Sequence, residues 1–103
     1  GLTYAKEVTI SLSDKNAALM FANPTKSNQD MVLQLAIDDV VVLQSGRLEP
    51  GNRVSSLGLL DGAEKRITAG GYNGKFVVLY YDRTSGEKAM LNTEIPVTVT
   101  VTK

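Results

Sequence analysis

The stretch Gly70-Gly71-Tyr72-Asn73-Gly74-Lys75-Phe76-Val77-Val78-Leu79-Tyr80-Tyr81-Asp82 decides how the chain is read. It begins as a glycine-marked turn, passes a tyrosine, and enters the longest unbroken apolar run of the sequence. From Phe76 to Tyr81 every side chain is apolar or aromatic, a composition that suits a pleated, packed surface better than a helix. Gly74 and Asp82 bound the run and keep it at strand length. Side chains alternate across a strand, so Phe76, Val78 and Tyr80 are expected to face the core while Val77, Leu79 and Tyr81 face the other side. One face must be the core. The other is then unusually apolar for a solvated sheet.

Working outward, the same period-two alternation recurs. Lys6 to Leu12 places Val8, Ile10 and Leu12 on one face. Met31, Leu33, Leu35 and Ile37 point inward from the next clear strand, with Val32, Gln34 and Ala36 outward. Ile95, Val97, Val99 and Val101 alternate with Glu94, Pro96, Thr98, Thr100 and Thr102 in the clearest pattern of all. Pro96 lacks an amide hydrogen, so that side of its strand should face an edge or a bulge. Ala17 to Asn23 is read as a strand with Leu19 and Phe21 inward, a short helix being the alternative by propensity. Asp38-Asp39 separates the Met31 strand from Val40-Val41-Val42-Leu43 at hairpin spacing. Glu49-Pro50-Gly51-Asn52 has the residues of a type II turn. Arg53 to Leu60 slips its alternation near Ser55-Ser56, where a bulge is expected. Ala63 to Ile67 fits one helical turn or an irregular crossover, and Arg83 to Glu87 a polar hairpin tip.

Seven short strands with turn signals between them predict one all-β domain over residues 1–103, an antiparallel seven-stranded β-sandwich of immunoglobulin or fibronectin-III-like kind. The Met31, Val40, Phe76 and Ile95 strands are expected in one sheet, and the Val8, Leu19 and Val54 strands in the other. A tyrosine at the position of Tyr72 fits the corner device of such sandwiches, its hydroxyl bonded back to upstream backbone.

A chain of 103 residues is enough for one domain. Eleven basic residues balance eleven acidic ones, and no basic cluster is present, which argues against a nucleic-acid surface and against a polybasic membrane patch. No segment approaches the ~20 apolar residues of a membrane-spanning helix, so this segment is not expected to insert directly into a membrane. The sequence holds no histidine and no cysteine. That excludes thiol chemistry, histidine-based triads and cysteine–histidine zinc sites. The leading Gly1 reads as the remnant of a removed tag, and a signal or anchor is expected outside this stretch.

Candidate chemistry is sparse. Asp38-Asp39 lacks the Asp-x-Asp-x-Asp-Gly spacing of a calcium loop and reads as a solvated turn. Asp82 and Glu87 are the nearest thing to the paired carboxylates of glycosidic cleavage, without a cleft between them. Gly70 to Gly74 has no following helix to form a phosphate site. Ser45 and Ser85 have no base. No catalytic residue, cofactor or metal is therefore expected. The outer face of the Met31–Phe76–Ile95 sheet stands above this background. Gln34, Val77, Leu79 and Tyr81 are its candidate ligand- or partner-binding residues, sharing the face with Val32, Ala36, Thr98 and Thr100. A protein partner or a neighbouring domain is expected there. A sugar ring stacked on Tyr81 is the alternative, and coverage by long neighbouring side chains is the structural one.

Asn23-Pro24, Met31-x-Leu33-x-Leu35-x-Ile37, Ser45-Gly46-x-Leu48-x-Pro50-Gly51, Leu57-x-Leu59, Gly70-x-Tyr72 and Tyr81-Asp82 together resemble small immunoglobulin-like domains of Gram-positive bacterial surface proteins. The likeness covers most of Asn23 to Val101 and rests on turn and core positions. It implies an extracellular or cell-surface location in an exported protein. It also implies a non-catalytic role as spacer, adhesion or protein-interaction module, with a carbohydrate-binding accessory module as the alternative. It assigns no binding residue. The chain departs from antibody-type domains in having no cysteine pair and no tryptophan.

Overall fold

A computed structural model describes the whole chain, Gly1–Lys103. Its strands are β1 (Thr3–Tyr4), β2 (Glu7–Ser11), β3 (Asn16–Ala22), β4 (Gln29–Ile37), β5 (Val40–Gln44), β6 (Arg53–Gly58), β7 (Gly70–Asp82) and β8 (Thr93–Thr102). A single 3-10 turn, Ala63–Lys65, is the only helical element. The protein is all-β. The strands run in the order β1-β3-β2-β8-β7-β4-β5, with β6 along the other side of β3. The Met31, Val40, Phe76 and Ile95 strands do lie side by side, as do the Val8, Leu19 and Val54 strands.

Two features depart from a purely antiparallel seven-stranded arrangement. The N-terminal strand is split, its first piece pairing Thr3 with Ala22 of β3. Its second piece, β2, runs parallel to β8, with Val8 beside Val99 and Ile10 beside Val101. This joins all eight strands into one mixed, unclosed sheet. Alternation of apolar residues fixes which face of a strand is buried, not the direction of its lateral neighbour. A parallel partner also satisfies the open edge of β8, through evenly spaced, slanted hydrogen bonds.

The two ends of this strand path fold over one another. Phe21 of β3 meets the edge of Phe76 of β7 with ring centroids 6.1 Å apart. Both belong to a core of 20 buried residues drawn mainly from the strands. Most of the inward sets expected from alternation are buried: Val8 and Ile10, Leu19 and Phe21, the four of β4, Phe76 and Val78, and the four of β8; Leu12 and Tyr80, at strand ends, are half-buried and pack against the rim of the core. Near the open side, Leu60 donates its backbone N–H to Val42 O at 2.9 Å and ties the segment after β6 to the edge of β5.

Turn chemistry follows the sequence closely. Asp38 and Asp39 have φ of 50° and 64°, the left-handed pair of a type I′ hairpin. Asn52 donates back to Glu49 O at 2.9 Å with Gly51 at φ 90°, as a type II turn requires. Tyr72 hydroxyl donates to Thr68 O at 2.8 Å. Thr98 N–H donates to Lys6 O, and Pro96, two residues earlier on the same strand side, precedes the first β2 pairing, so its missing hydrogen faces an open edge. The bulge falls elsewhere than expected. Between the pairs Ala18–Ser56 and Phe21–Val54 the extra residue lies on β3, opposite the serines rather than among them. A second extra residue, Val42, lies on β5.

Gly74 shows why the long β7 strand begins with glycines. A Cβ there would sit 2.9 Å from Val99 Cγ2 and 3.0 Å from Ala36 O. Backbone approach at this point admits no side chain.

Candidate interaction surface

The register between β4 and β7 places Asp30 opposite Tyr81, Val32 opposite Leu79, Gln34 opposite Val77 and Ala36 opposite Lys75. All eight point away from the core, because their neighbours Met31, Leu33, Leu35, Phe76 and Val78 fill it. The four candidates Gln34, Val77, Leu79 and Tyr81 are thus brought onto one face. That face is well covered. Val32 and Val77 are buried, at 7% and 9% exposure, while Gln34, Leu79 and Tyr81 are half-buried. Long polar side chains line it. Gln34 Nε2 donates to Gln44 Oε1 at 2.7 Å, Lys75 Nζ pairs with Glu94 Oε1 at 3.1 Å, and the Arg47 guanidinium lies 4.3 Å from the Tyr81 ring centre. Arg47 occupies the ring surface on which a sugar would stack. Thr98 and Thr100 are exposed, on the margin of β8 beside β2.

One end of the face carries a charge cluster that the sequence does not announce. Asp30 follows the alternation outward yet is buried. Arg83 Nε lies 3.0 Å from its Oδ1 and Arg47 Nη1 3.7 Å from its Oδ2. The Arg83 contact is an ion pair without an aligned hydrogen bond, since Oδ1 has no bonded donor. Arg47 is held by Tyr81 and by a bond from Nη2 to Gly86 O at 3.1 Å. Arg83 also reaches the exposed Glu49 carboxylate at 3.3 Å. The surface therefore presents two half-exposed guanidiniums above a sunken carboxylate.

The opposite end of the face is a shallow depression of about 330 Å³ lined by Ala36, Asp38, Asp39, Asn73, Gly74 and Lys75. Asp38 and Asp39 are exposed. No third carboxylate or other metal-ligating group converges with them, so the geometry is that of an acidic hairpin tip.

The most exposed apolar side chains lie where sequence reading placed nothing. β7 and β8 pair in register through Val78 and Thr93, and an isolated bridge joins Tyr81 to Lys88. Three steps along β7 thus face five along the returning strand, so two residues are surplus. The surplus is expelled as an outward bulge. Met90 and Leu91 ride on it at 96% and 82% exposure. The signal in the sequence was the mismatch between the polar tip Arg83–Glu87 and the distant start of alternation at Thr93, with an apolar pair between them.

The remaining candidates are structural. The Asp82 carboxylate accepts backbone N–H bonds from Thr84 and Ser85, both at 2.8 Å. These donors, Ser85 first, hold its pKa below the ordinary carboxylate value. An acid kept ionised this way cannot act as a general acid near neutrality, and Glu87 beside it is exposed. Ser45 is buried with its hydroxyl accepting from Leu33 N–H and donating to Gly46 O. Ser85 Oγ accepts from Glu87 N–H. Gly70 to Gly74, read from the sequence as a turn, are instead the first residues of strand β7, paired in register with β8.

No family model matches the chain, and no curated protein does. Among solved structures, it is similar to the crystal structure of the E. coli chaperone DraB, with a TM-score of 0.56 and 15% sequence identity. The match covers 98% of this chain and 54% of that one, so the chain spans about half the length of its structural neighbour. At this identity the likeness speaks to fold alone.

Proposed function

We propose that the domain is a non-catalytic protein-interaction module that docks a partner through the margin where the β4–β7 face meets the Met90–Leu91 bulge. The observation that carries this reading is the bulge itself. Two adjacent apolar side chains stand almost wholly in water although β7 and β8 are otherwise in continuous register, and such side chains gain most when a partner removes them from solvent. The half-buried Leu79 and Tyr81 lie on β7 at the level of the bulge and would extend the contact. The finer fold assignment, immunoglobulin- or fibronectin-III-like, belongs to the same proposal. Its support is the Tyr72–Thr68 corner bond and the packing of β3 over β7. Residence at a bacterial cell surface, as spacer or adhesion module of an exported protein, rests on the sequence resemblance and is part of the proposal too.

The test is affinity capture from an extract of the source cells, using the wild-type domain and the double variant Met90→Ser, Leu91→Ser. Loss of a specific captured protein with the variant, at unchanged thermal midpoint, is the expected result. Equal capture by both proteins would falsify the role of the bulge.

A further inference from the structure

We propose that Met90 is an oxidative modification site, at which a peroxide converts the thioether to a sulfoxide and so switches off docking through the Met90–Leu91 bulge. The inference rests on the interaction-module reading and adds a chemical control over it. Sulfur chemistry in this chain is confined to methionine, since there are three methionines and no cysteine. The fold gives those three sulfurs very different access. Met31 on β4 is 4% exposed, in the core, and its backbone bonds to Leu48 in both directions. Met20 on β3 is half-buried. Met90 is 96% exposed. A peroxide must reach the sulfur itself, so access sets the order of reaction.

The exposure of Met90 is held in place by its surroundings. Ala89 N–H donates to Tyr80 O at 2.8 Å on one side of the bulge. On the other side the Thr93 hydroxyl lies 2.7 Å from the Tyr80 hydroxyl. Lys88 Nζ spans the bulge, donating to Ala89 O and to Asn92 Oδ1, each at 3.0 Å. With both ends tied, Met90 and Leu91 are kept out from the sheet. In the reaction the sulfur lone pair attacks one peroxide oxygen and the O–O bond breaks. The departing hydroxide takes the proton of the transferred oxygen and leaves as water. Sulfur loses two electrons and the peroxide gains them. The product is polar, so half of the apolar pair no longer gains from leaving water. The Met90 side chain adds almost nothing to the packing of the domain, so the fold is untouched. The same oxygen on Met31 would be forced into the core. Reduction by a thiol-dependent sulfoxide reductase restores the thioether, two thiols becoming a disulfide and the oxygen leaving as water.

Hydrogen peroxide titration of the intact chain, followed by peptide mass mapping, tests the site. Met90 should gain one oxygen at least about tenfold faster than Met20 or Met31. The singly oxidised protein should elute earlier from a hydrophobic-interaction column at an unchanged thermal midpoint. In capture from the source-cell extract it should lose the protein that the native domain retains, as Met90→Ser, Leu91→Ser does. Met90→Leu keeps an apolar side chain without the sulfur; its retention and capture should survive peroxide. Oxidation of Met20 or Met31 as fast as Met90 overturns the proposal. So does capture lost after peroxide in Met90→Leu as in the wild type, which would place the sensitive group elsewhere. An oxidised domain that captures as well as the native one, while the serine variant does not, overturns the switch and leaves the module reading standing. Equal capture by the wild type and the serine variant overturns both.

Discussion

Phe76–Tyr81 and Met90–Leu91 are apolar stretches a few residues apart, and they meet opposite environments. The first is buried over Phe76–Val78 and half-buried over Leu79–Tyr81, where the Arg47 guanidinium lies over the Tyr81 ring. The second stands almost wholly in water. Hydrophobicity is the same in both; pairing is not. A residue in register inherits neighbours on both flanks and both faces, whereas a surplus residue between two registered pairs inherits none. Exposure of an apolar group carries information only when local pairing could have covered it.

The comparison breaks most visibly in stability. Phe76→Ala should cost about 3–5 kcal/mol, since it empties a fully buried aromatic site in contact with Phe21. Met90→Ser should change stability by no more than ~0.5 kcal/mol. Urea denaturation of the two variants checks the contrast. A cost of more than ~1 kcal/mol for Met90→Ser would mean that the bulge packs against the domain in solution.

Charge offers a sharper version of the same contrast. Asp30 is sunk in the sheltered face, and its two arginines remain half in solvent. Removing Arg83 leaves a buried carboxylate short of its nearest countercharge. Neutralising Asp30 instead leaves arginines that water can serve. Arg83→Ala is therefore expected to destabilise by about 1–2 kcal/mol after allowing for the solvent around the guanidinium. Asp30→Asn should cost less than about 1 kcal/mol. The reverse order in a thermal melt would show that Asp30 is worth more as an acceptor than it costs as a buried charge.

Much of the fold was legible because burial imposes a period. The inward sets of β4, β7 and β8 could be read residue by residue, and so could Gly51, the Asp38–Asp39 turn and the Tyr72 corner, since each needs a particular backbone or hydroxyl. What alternation cannot carry is lateral geometry. The parallel β2–β8 pair, the split of the first strand and the bulge opposite Ser55-Ser56 all depend on neighbours distant in sequence. The candidate face shows the same limit. Gln34, Val77, Leu79 and Tyr81 were identified as sharing a surface. Their cover was not predictable in detail, because Arg47 and Glu94 reach them only through tertiary placement. Asp30 carries no signal of its own in the sequence; it is marked only by the convergence of Arg47 and Arg83 on it. Met90 and Leu91 stand out only once the registers on either side of them are known.

The smallest effect distinguishes the two acids of β4 and β7. Asp82 is exposed, and its carboxylate is bound by the N–H groups of Ser85 and Thr84. Its pKa in the folded chain lies below the ordinary value it regains on unfolding. The sign follows from linkage. The unfolded chain binds the proton first, so the stabilisation is complete above the ordinary carboxylate value near 3.8. It then fades as pH falls through the lower folded value. Asp82→Asn keeps an oxygen for the same donors and removes the titration. The wild type should therefore be the more stable of the two at pH 5, and the gap in thermal midpoint should close between pH 4 and pH 2. A gap that persists unchanged at pH 2 would mean that the turn is held by the shape of the side chain rather than by its charge. The exposed tip would then resemble the sheltered face, where fit and not ionisation sets the structure.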